Sequence, residues 1–549
     1  MTAESAMDAP EHAAIEVNSR ARFEILAAIL LAMFLGALDQ TIVGPVLPTI
    51  STELQGASLY VWVVTSYLVT STAAIPVYGK LSDYFGRKPM LIIGILLFLL
   101  GSILSGLSQT MEQLVFFRGV QGLGAGALFP IALAVIGDLF TPAERGKYQG
   151  LFGGVFGIAF LVGPFLGGVL TEHLSWHWIF FVNVPVGIVS LILIWRLLPM
   201  VRPAGAKLQL DILGVATFLG AVVPVLIALT LAETSSWVDP SVLSWFAVGL
   251  VFLAAFIVVE SKAKDPMIPL DLFRNRTFAV SVVATFFAVF GFSILIIFLP
   301  LWFQIVQGAT PTESGYLLFP FLVGLIFSSV TAGQIVSRTG RYKTLLAVGL
   351  ATMAVGVGTF YFLHGDTPYP VMSLWMLIAG LGVGPTMAIF TLIVQNDVPF
   401  ERLGTATSDL TLMRQIGTSV GLTMAFTLFR NNLTTESIAG AIKAAGATDA
   451  QLKAAAATFG GNTSQFTSVG GELAKALRQA PLPIQTGFYE AFSQAIAHSV
   501  PLGILAAALS FVAVLALKEK PLRAHFHADQ AARAGVHAVP ASKPAEAAE

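Results

Sequence analysis

Fourteen apolar runs, each close to the ~20 residues a helix needs to cross ~30 Å of hydrocarbon, are joined by short loops that alternately carry and lack Lys and Arg. The runs, called spans 1 to 14 here, lie near residues 23–45, 60–79, 89–108, 112–136, 148–170, 177–198, 210–232, 241–260, 278–304, 313–336, 343–363, 370–394, 404–429 and 496–517. The short loops after even-numbered spans hold Lys80, Arg87 and Lys88; Arg145 and Lys147; Arg196, Arg202 and Lys207; Lys262, Lys264, Arg274 and Arg276; Arg338, Arg341 and Lys343; and Arg402. The short loops after spans 1, 3, 5, 7, 9 and 11 hold none. Basic loops stay in the cytoplasm, so a multi-pass protein of a cell (inner or plasma) membrane with both termini cytoplasmic is expected.

Composition agrees with lipid as the solvent. Only 11% of the 549 residues are charged, against about 25% in a soluble domain. There is no cysteine, which removes disulfides, thiolate metal sites and cysteine nucleophiles together. The segment before Phe23 is polar and span 1 is long, so span 1 is expected to stay in place and 1–22 to be a cytoplasmic tail. The connection 430–495 is long, external by parity, and rich in Ala, Gly, Ser and Thr; Thr448-Asp449-Ala450-Gln451 is a capping-box pattern that predicts a short helix there. Residues 518–549 are Ala/Pro-rich and read as a disordered cytoplasmic tail.

The chain repeats itself. Phe23, Gly36 and Pro45 recur as Phe278, Gly291 and Pro300; Gly79, Gly86 and Arg87 as Gly333, Gly340 and Arg341; Gly122-Leu123-Gly124 as Gly380-Leu381-Gly382; and Glu144-Arg145 as Glu401-Arg402. Two six-helix halves in the same orientation follow, 23–200 and 263–517, with spans 7 and 8 (201–262) inserted between them. Parallel six-helix halves around a midplane cavity are a transporter plan that works by rocking one half against the other.

Gly79-Lys80-Leu81-Ser82-Asp83-Tyr84-Phe85-Gly86-Arg87-Lys88, between spans 2 and 3, closely resembles the signature of the major facilitator superfamily. Leu38-Asp39-Gln40-Thr41 with Pro45 and Pro48, Arg118-Gly119-Val120-Gln121-Gly122, Gly163-Pro164-Phe165-Leu166-Gly167-Gly168, and Trp176 to Pro185 resemble motifs of its fourteen-helix drug:proton antiporter family. The resemblance covers about residues 20–430 and span 14; the long external connection is atypical. It implies an all-α major facilitator fold, and a cytoplasmic gate of Gly79, Asp83, Gly86, Arg87, Asp138 and Arg341. The repeat puts Ser337 where the first half has Asp83, so the gate is expected to be asymmetric. The motif Gly163, Pro164, Gly167 and Gly168 is expected to let span 5 bend or slide, since proline removes a backbone donor and glycines permit close helix contact.

Ionisable residues inside a membrane are costly and usually functional. Asp39 lies ~24 Å along span 1 from Phe23, and Arg118 ~9 Å from the external start of span 4, so in a ~30 Å slab both reach one depth and can pair. Their repeat counterparts are Ile294 and Met376, so a scaffold need common to both halves does not explain them. Span 13 adds Asp409 and Arg414; five residues apart, they point in different directions. These four residues are the expected proton and substrate coupling site. Trp62, Tyr67, Phe286 and Phe290 are expected to line the cavity.

The expected function is proton-coupled export of amphipathic or cationic small molecules, of multidrug efflux type, by alternating access. The expected energy source is the proton gradient, with no cofactor and no metal; the chain has no Walker A sequence. The expected partners are substrate and bilayer, not nucleic acid, and the chain is expected to work as a monomer. An exporter of a lipid or endogenous metabolite, an importer, and a non-transporting receptor are the alternatives. An enzyme is not expected, because no converging nucleophile, base or metal ligands are visible.

Overall fold

In hydrocarbon a backbone must satisfy its own hydrogen bonds, which leaves helices as the open solution for apolar runs of this length. The computed structural model describes residues 19–56, 59–200, 211–399, 402–452 and 477–522. Among them every regular element is helical. The expected 1–22 tail (but for residues 19–22), Arg202, Lys207, Glu401, the middle of the 430–495 connection and the tail beyond residue 522 lie outside the described residues.

Spans 1 to 5 are Ser19–Glu53, Tyr60–Phe85, Arg87–Gly106, Met111–Leu139 and Pro142–His173. Span 6 is Trp178–Phe181 joined to Asn183–Leu197. The inserted spans 7 and 8 are Ile212–Thr234 and Pro240–Lys262. Span 9 is Arg276–Ile305, and span 10 comprises Pro311–Leu317 and Phe319–Thr339. Spans 11 to 13 are Lys343–Thr359, Tyr369–Asp397 and Leu403–Asn432. Span 14 starts earlier than its apolar run: Leu482–Ala497 leads into Val500–Leu515. Glu490, Gln485 and Gln494 interrupt the apolar pattern of that first part, yet Phe488, Phe492 and Ile496 are buried in the core of the second half.

Thirteen of these spans are long and apolar enough to cross a membrane. Leu403–Asn432 is the exception. It has the length but carries Thr, Ser, Gly, Asp409 and Arg414. It packs against spans 2, 4, 7 and 9, so protein rather than lipid solvates its polar groups.

The packing follows the repeat. Spans 2, 3 and 4 pack together as spans 10, 11 and 12 do, and span 1 lies on spans 5 and 6 as span 9 lies on spans 13 and 14. Gly86 and Gly340, repeat partners, both take a left-handed backbone (φ 90° and 69°) that favours glycine, and each ends a helix. The halves meet crosswise, span 5 on span 10 and span 2 on span 13. A methyl group on Gly79 would sit 2.1 Å from Ser408 Oγ and 3.1 Å from the Gly404 carbonyl oxygen; one on Gly333 would sit 2.0 Å from the Gly146 carbonyl oxygen. Spans 7 and 8 form a hairpin that leans on spans 2 and 13 through Ile75, Phe218, Phe256, Met267, Ile268 and Leu412.

The loops rich in Lys and Arg gather at one end of the bundle, called here the basic end. Arg402 pairs with Asp271, Lys80 with Asp265, and Lys520 with Asp397. At the far end, Thr435–Ala444 packs on Leu482–Ala497, with Gly487 against Ile442. Thr448 and Gln451 make the expected capping contacts.

Candidate functional site

Asp39 and Arg118 meet in the interior of the first half. Arg118 Nη1 donates to Asp39 Oδ2 at 2.7 Å, and the two residues are 2% and 0% exposed. Asp39 Oδ1 accepts from Gln121 Nε2 at 2.7 Å and from Asn183 Nδ2 at 3.0 Å. Gln121 Oε1 in turn accepts from the same Arg118 nitrogen at 2.8 Å. Asn183 also donates to Ser102 Oγ, which donates to the Phe180 carbonyl. The guanidinium lies over the Tyr67 ring, 4.2 Å from its centroid, with Phe180 5.8 Å away.

A buried ion pair costs more desolvation than its attraction returns unless further hydrogen bonds satisfy both groups. Here Asp39 holds three donors. The charge is therefore tolerated, and the carboxylate is surrounded by groups that would rearrange if it took a proton. The next helical positions on span 1 toward the far end continue an open stripe: Gln40, Gly44 and Pro48 are exposed, and nothing lies within 4 Å of a Cβ built on Gly44. A glutamine at mid-span is costly against lipid, so this stripe faces the space between the halves.

Span 13 behaves differently. Arg414 Nη2 donates to the Met387 carbonyl and to Thr391 Oγ1, both at 2.9 Å, and so is bound to span 12. Asp409 is 2% exposed and neither of its oxygens has a hydrogen-bond partner. The two charged groups do not pair with each other.

The basic end is latched. Arg87 donates to Asp83 (2.5 Å), Ser82 (2.7 Å) and Asp138 (2.9 Å). Asp83 reaches across the halves and accepts from Gly404 N (3.1 Å) and Thr405 N (2.8 Å), the first free N–H groups of span 13. The pseudo-symmetric contact exists too: Lys147 N, at the start of span 5, donates to Ser337 Oγ at 3.1 Å. The first latch thus uses a carboxylate and the second a hydroxyl. Buried Arg145 adds bonds to the carbonyls of Gly137, Phe140 and Gln395, and Gln149 bonds Gln395. Arg341 stands apart from this assembly. It is exposed, and its backbone N–H bonds Thr339. The repeat counterpart of Asp138 is Asn396, which turns to the Pro521 carbonyl, so no acid awaits Arg341.

In span 5, Gly163 and Gly167 lie against Thr41, Ile42 and Val46 of span 1, whereas Pro164 and Gly168 face Gly315 and Thr312 of span 10. Thr41 Oγ1 donates to the Ala159 carbonyl, just before the carbonyl whose bond Pro164 removes. One helix therefore carries a smooth face for each half. Among the aromatics, Tyr67 packs on Arg118 and Trp62 is half-buried. Phe286 and Phe290 pack against Gly417 and Gly421 of span 13 through their backbones, which makes them part of a helix contact.

Sequence reasoning missed Gln121, Asn183 and Ser102 as members of the centre. The available signal was a neutral polar residue inside an apolar run, which is weaker than a charge. It also missed Glu233 of span 7, which accepts from Thr423 at 3.3 Å. No group of three or more His, Asp or Glu among the described residues is placed to hold a metal.

The comparisons with known proteins agree with this architecture. The family model described as Major Facilitator Superfamily matches residues 29–422. The multidrug transporter protein MdtP of Bacillus subtilis is 39% identical over 73% of this chain and 74% of its own length. Multidrug resistance protein 3 of the same organism is 36% identical over 75% and 80%. The MFS-type efflux pump MMF1 of Pseudozyma antarctica is 34% identical over 91% of both chains. In fold, the chain is similar to the human organic anion transporter MFSD10 (TM-score 0.56, 14% identity, covering 88% of this chain and 99% of that one). It is also similar to the proton:xylose symporter XylE (TM-score 0.54, 15% identity, 86% and 99%).

Proposed function

Because this chain belongs to the major facilitator superfamily, we propose that it is a proton-coupled exporter of amphipathic or cationic small molecules, working by alternating access in a cell membrane. The observation that carries this reading is the Asp39–Arg118 centre, built in one half only. At the matching positions of the second half, Ile294 and Met376 are buried among apolar side chains. A pair needed merely to hold a six-helix half together would be expected twice.

Asp39 is the proton carrier in this reading. Unprotonated, it holds Arg118, Gln121 and Asn183. Protonation weakens the bond to Arg118 and releases the guanidinium toward its other partners. That links the proton to the packing of spans 1, 4 and 6, from which these residues come. The latched basic end represents the state closed to the cytoplasm; the open stripe on span 1 is then reached from outside. The multidrug and efflux names of relatives at 34 to 39% identity support the direction and the substrate class. The positive-inside rule supports a cytoplasmic basic end and cytoplasmic termini. The chain acts as a monomeric transporter rather than an enzyme, with the proton gradient as its energy source and no cofactor.

Proteoliposomes with an imposed pH gradient test the proposal, with ethidium as a cationic probe. Wild type accumulates the probe against its gradient, and Asp39→Asn does not. Accumulation by the variant at the wild-type rate would refute it.

A further inference from the structure

The inserted hairpin carries acids that the Asp39 centre leaves without a role. Asp211 precedes span 7, where its Oδ1 accepts from Gly214 N at 2.7 Å. Glu260, near the end of span 8, is 2% exposed, and its Oε1 accepts from Ile268 N. Each carboxyl thus has one engaged oxygen. The other oxygens, Asp211 Oδ2 and Glu260 Oε2, are buried without a donor. They border one small space: a Cβ on Gly214 would lie 2.3 Å from the first and 2.7 Å from the second. Lying on either side of that one Cβ position, the two oxygens are at most about 5 Å apart. Two bare carboxylates repel at this range, whereas one proton between them makes a hydrogen bond.

Asp409 faces the same region from span 13, with both oxygens unpartnered and Glu260, Asp83 and Lys80 within electrostatic reach. Lys80 is engaged by Asp265 at 2.5 Å. Asp83 is spent on the latch. Among the described residues, the cation within electrostatic reach of both Glu260 and Asp409 is thus Lys80, whose ammonium is already paired with Asp265. One turn deeper, Ile75, Phe256 and Leu412 seal the bundle. On the basic side, a small cleft between span 2 and the hairpin is walled mainly by Val77, Leu81, Val215 and Met267, with Lys80, Tyr84, Asp211 and Asp265 at its edge.

We propose that Asp211 and Glu260 hold one proton between them and, with Asp409, form the cytoplasmic proton-exchange site of the transport cycle. This rests on the proton-coupled reading above. An ionised Asp409 without a donor is costly in the closed interface of spans 2 and 13, so closure favours its neutral form. Opening the latch lets water reach it. The proton then passes to the hairpin pair as the proton already held there leaves through the cleft, so the pair ends the step with one proton as it began. No bond other than O–H forms or breaks, and the charge moves with the proton. The insert thereby gains a task that a twelve-helix core does not contain.

Infrared spectroscopy of the purified full chain near neutral pH tests this. A protonated-carboxyl C=O stretch is expected in wild type and in Asp39→Asn; one component of it is expected to be lost in both Glu260→Gln and Asp211→Asn, and a second component, from neutral Asp409, only in Asp409→Asn. Glutamine keeps the acceptor that Ile268 N uses, so Glu260→Gln should fold. In proteoliposomes the same variant should lose about tenfold in pH-driven ethidium flux, while ethidium exchange at equal pH is unchanged. A stretch that neither hairpin substitution diminishes overturns the shared proton. Equal losses in driven flux and exchange would make the pair structural and overturn its exchange role. Failure of the proton-coupled reading shows up separately, as driven flux intact in Asp39→Asn.

Discussion

Asp83, in the first half, caps the helix that begins at Leu403 in the second: its Oδ2 accepts from Thr405 N at 2.8 Å and from Thr405 Oγ1 at 2.7 Å. A carboxylate at a helix N-terminus satisfies free N–H groups and meets the positive end of the helix dipole. The same carboxylate is gripped by Arg87, which also holds Asp138. One side chain thus joins three helices across the seam between the halves.

Replacing Asp83 by Ala should therefore open the basic end. Hydrogen bonds to charged groups are worth about 1.5–3 kcal/mol, so the population open at the basic end should rise at least about tenfold. The natural chain has no cysteine, so spin labels at Lys88→Cys and Arg338→Cys report the distance directly. An unchanged distance distribution would contradict the latch.

The two crossing contacts predict unequal tolerance of a methyl group. At Gly333 the obstacle is the backbone carbonyl of Gly146, at 2.0 Å, which has nowhere to go. At Gly79 it is the Ser408 side chain, with backbone no nearer than 3.1 Å. Gly333→Ala should hold the halves apart and reduce driven flux more than Gly79→Ala does, read from initial rates at matched protein amounts.

Within the centre, Arg118→Lys removes the planar fork that bridges Asp39 and Gln121 and lies over Tyr67. Lys is a point charge with a different reach. Driven flux should fall roughly 100-fold, in the range proton-transfer groups contribute. Asn183→Ala removes one of three donors to Asp39 and should cost at least about tenfold, from at least ~1.5 kcal/mol of lost charged hydrogen bond. The measurement is flux at fixed pH gradient, with insertion checked by surface labelling.

The turn between spans 7 and 8 should loosen in acid. Asp239 caps span 8 by accepting from Ser241 Oγ at 2.6 Å and Ser241 N at 2.9 Å, and these bonds hold its carboxyl below the ordinary carboxylate range. A depressed folded-state pKa means the cap's contribution is present above the unfolded value, about 3.9, and is lost as pH falls through the folded one. The protection factor of the Ser241 amide, which corrects exchange for its intrinsic pH dependence, should fall below about pH 4 in wild type. In Asp239→Ala it should be low throughout.

Much of this architecture is legible in the sequence because the constraints are strong and local. The alternation of basic and base-free loops fixes the direction of each span, and this alone puts Asp39 and Arg118 at one depth. Where the signal is a neutral residue, it fades. Asn183 reads as part of a motif, and only packing turns it toward Asp39. Arg341 reads as the twin of Arg87, but its role depends on position 396, where the acid has become Asn396. Span 14 begins at Leu482, in a stretch whose Glu490 and glutamines resemble a loop; Glu490 finds the Gly365 N–H and His364 at the far end instead. The hairpin acids are the least legible, because Asp211 and Glu260 are 49 positions apart and meet only when spans 7 and 8 pair.

The far-end cap has a practical corollary. Thr435–Ala444 rests on Leu482–Ala497, which is fixed to the second half through Trp302 and Ser493, while Arg478 bonds the Gly308 carbonyl. These contacts all belong to one of the two moving bodies. An antibody fragment raised against Thr435–Ala444 would ride with that body through a turnover and supply a fiducial mass for imaging each state, leaving the cycle itself free to run.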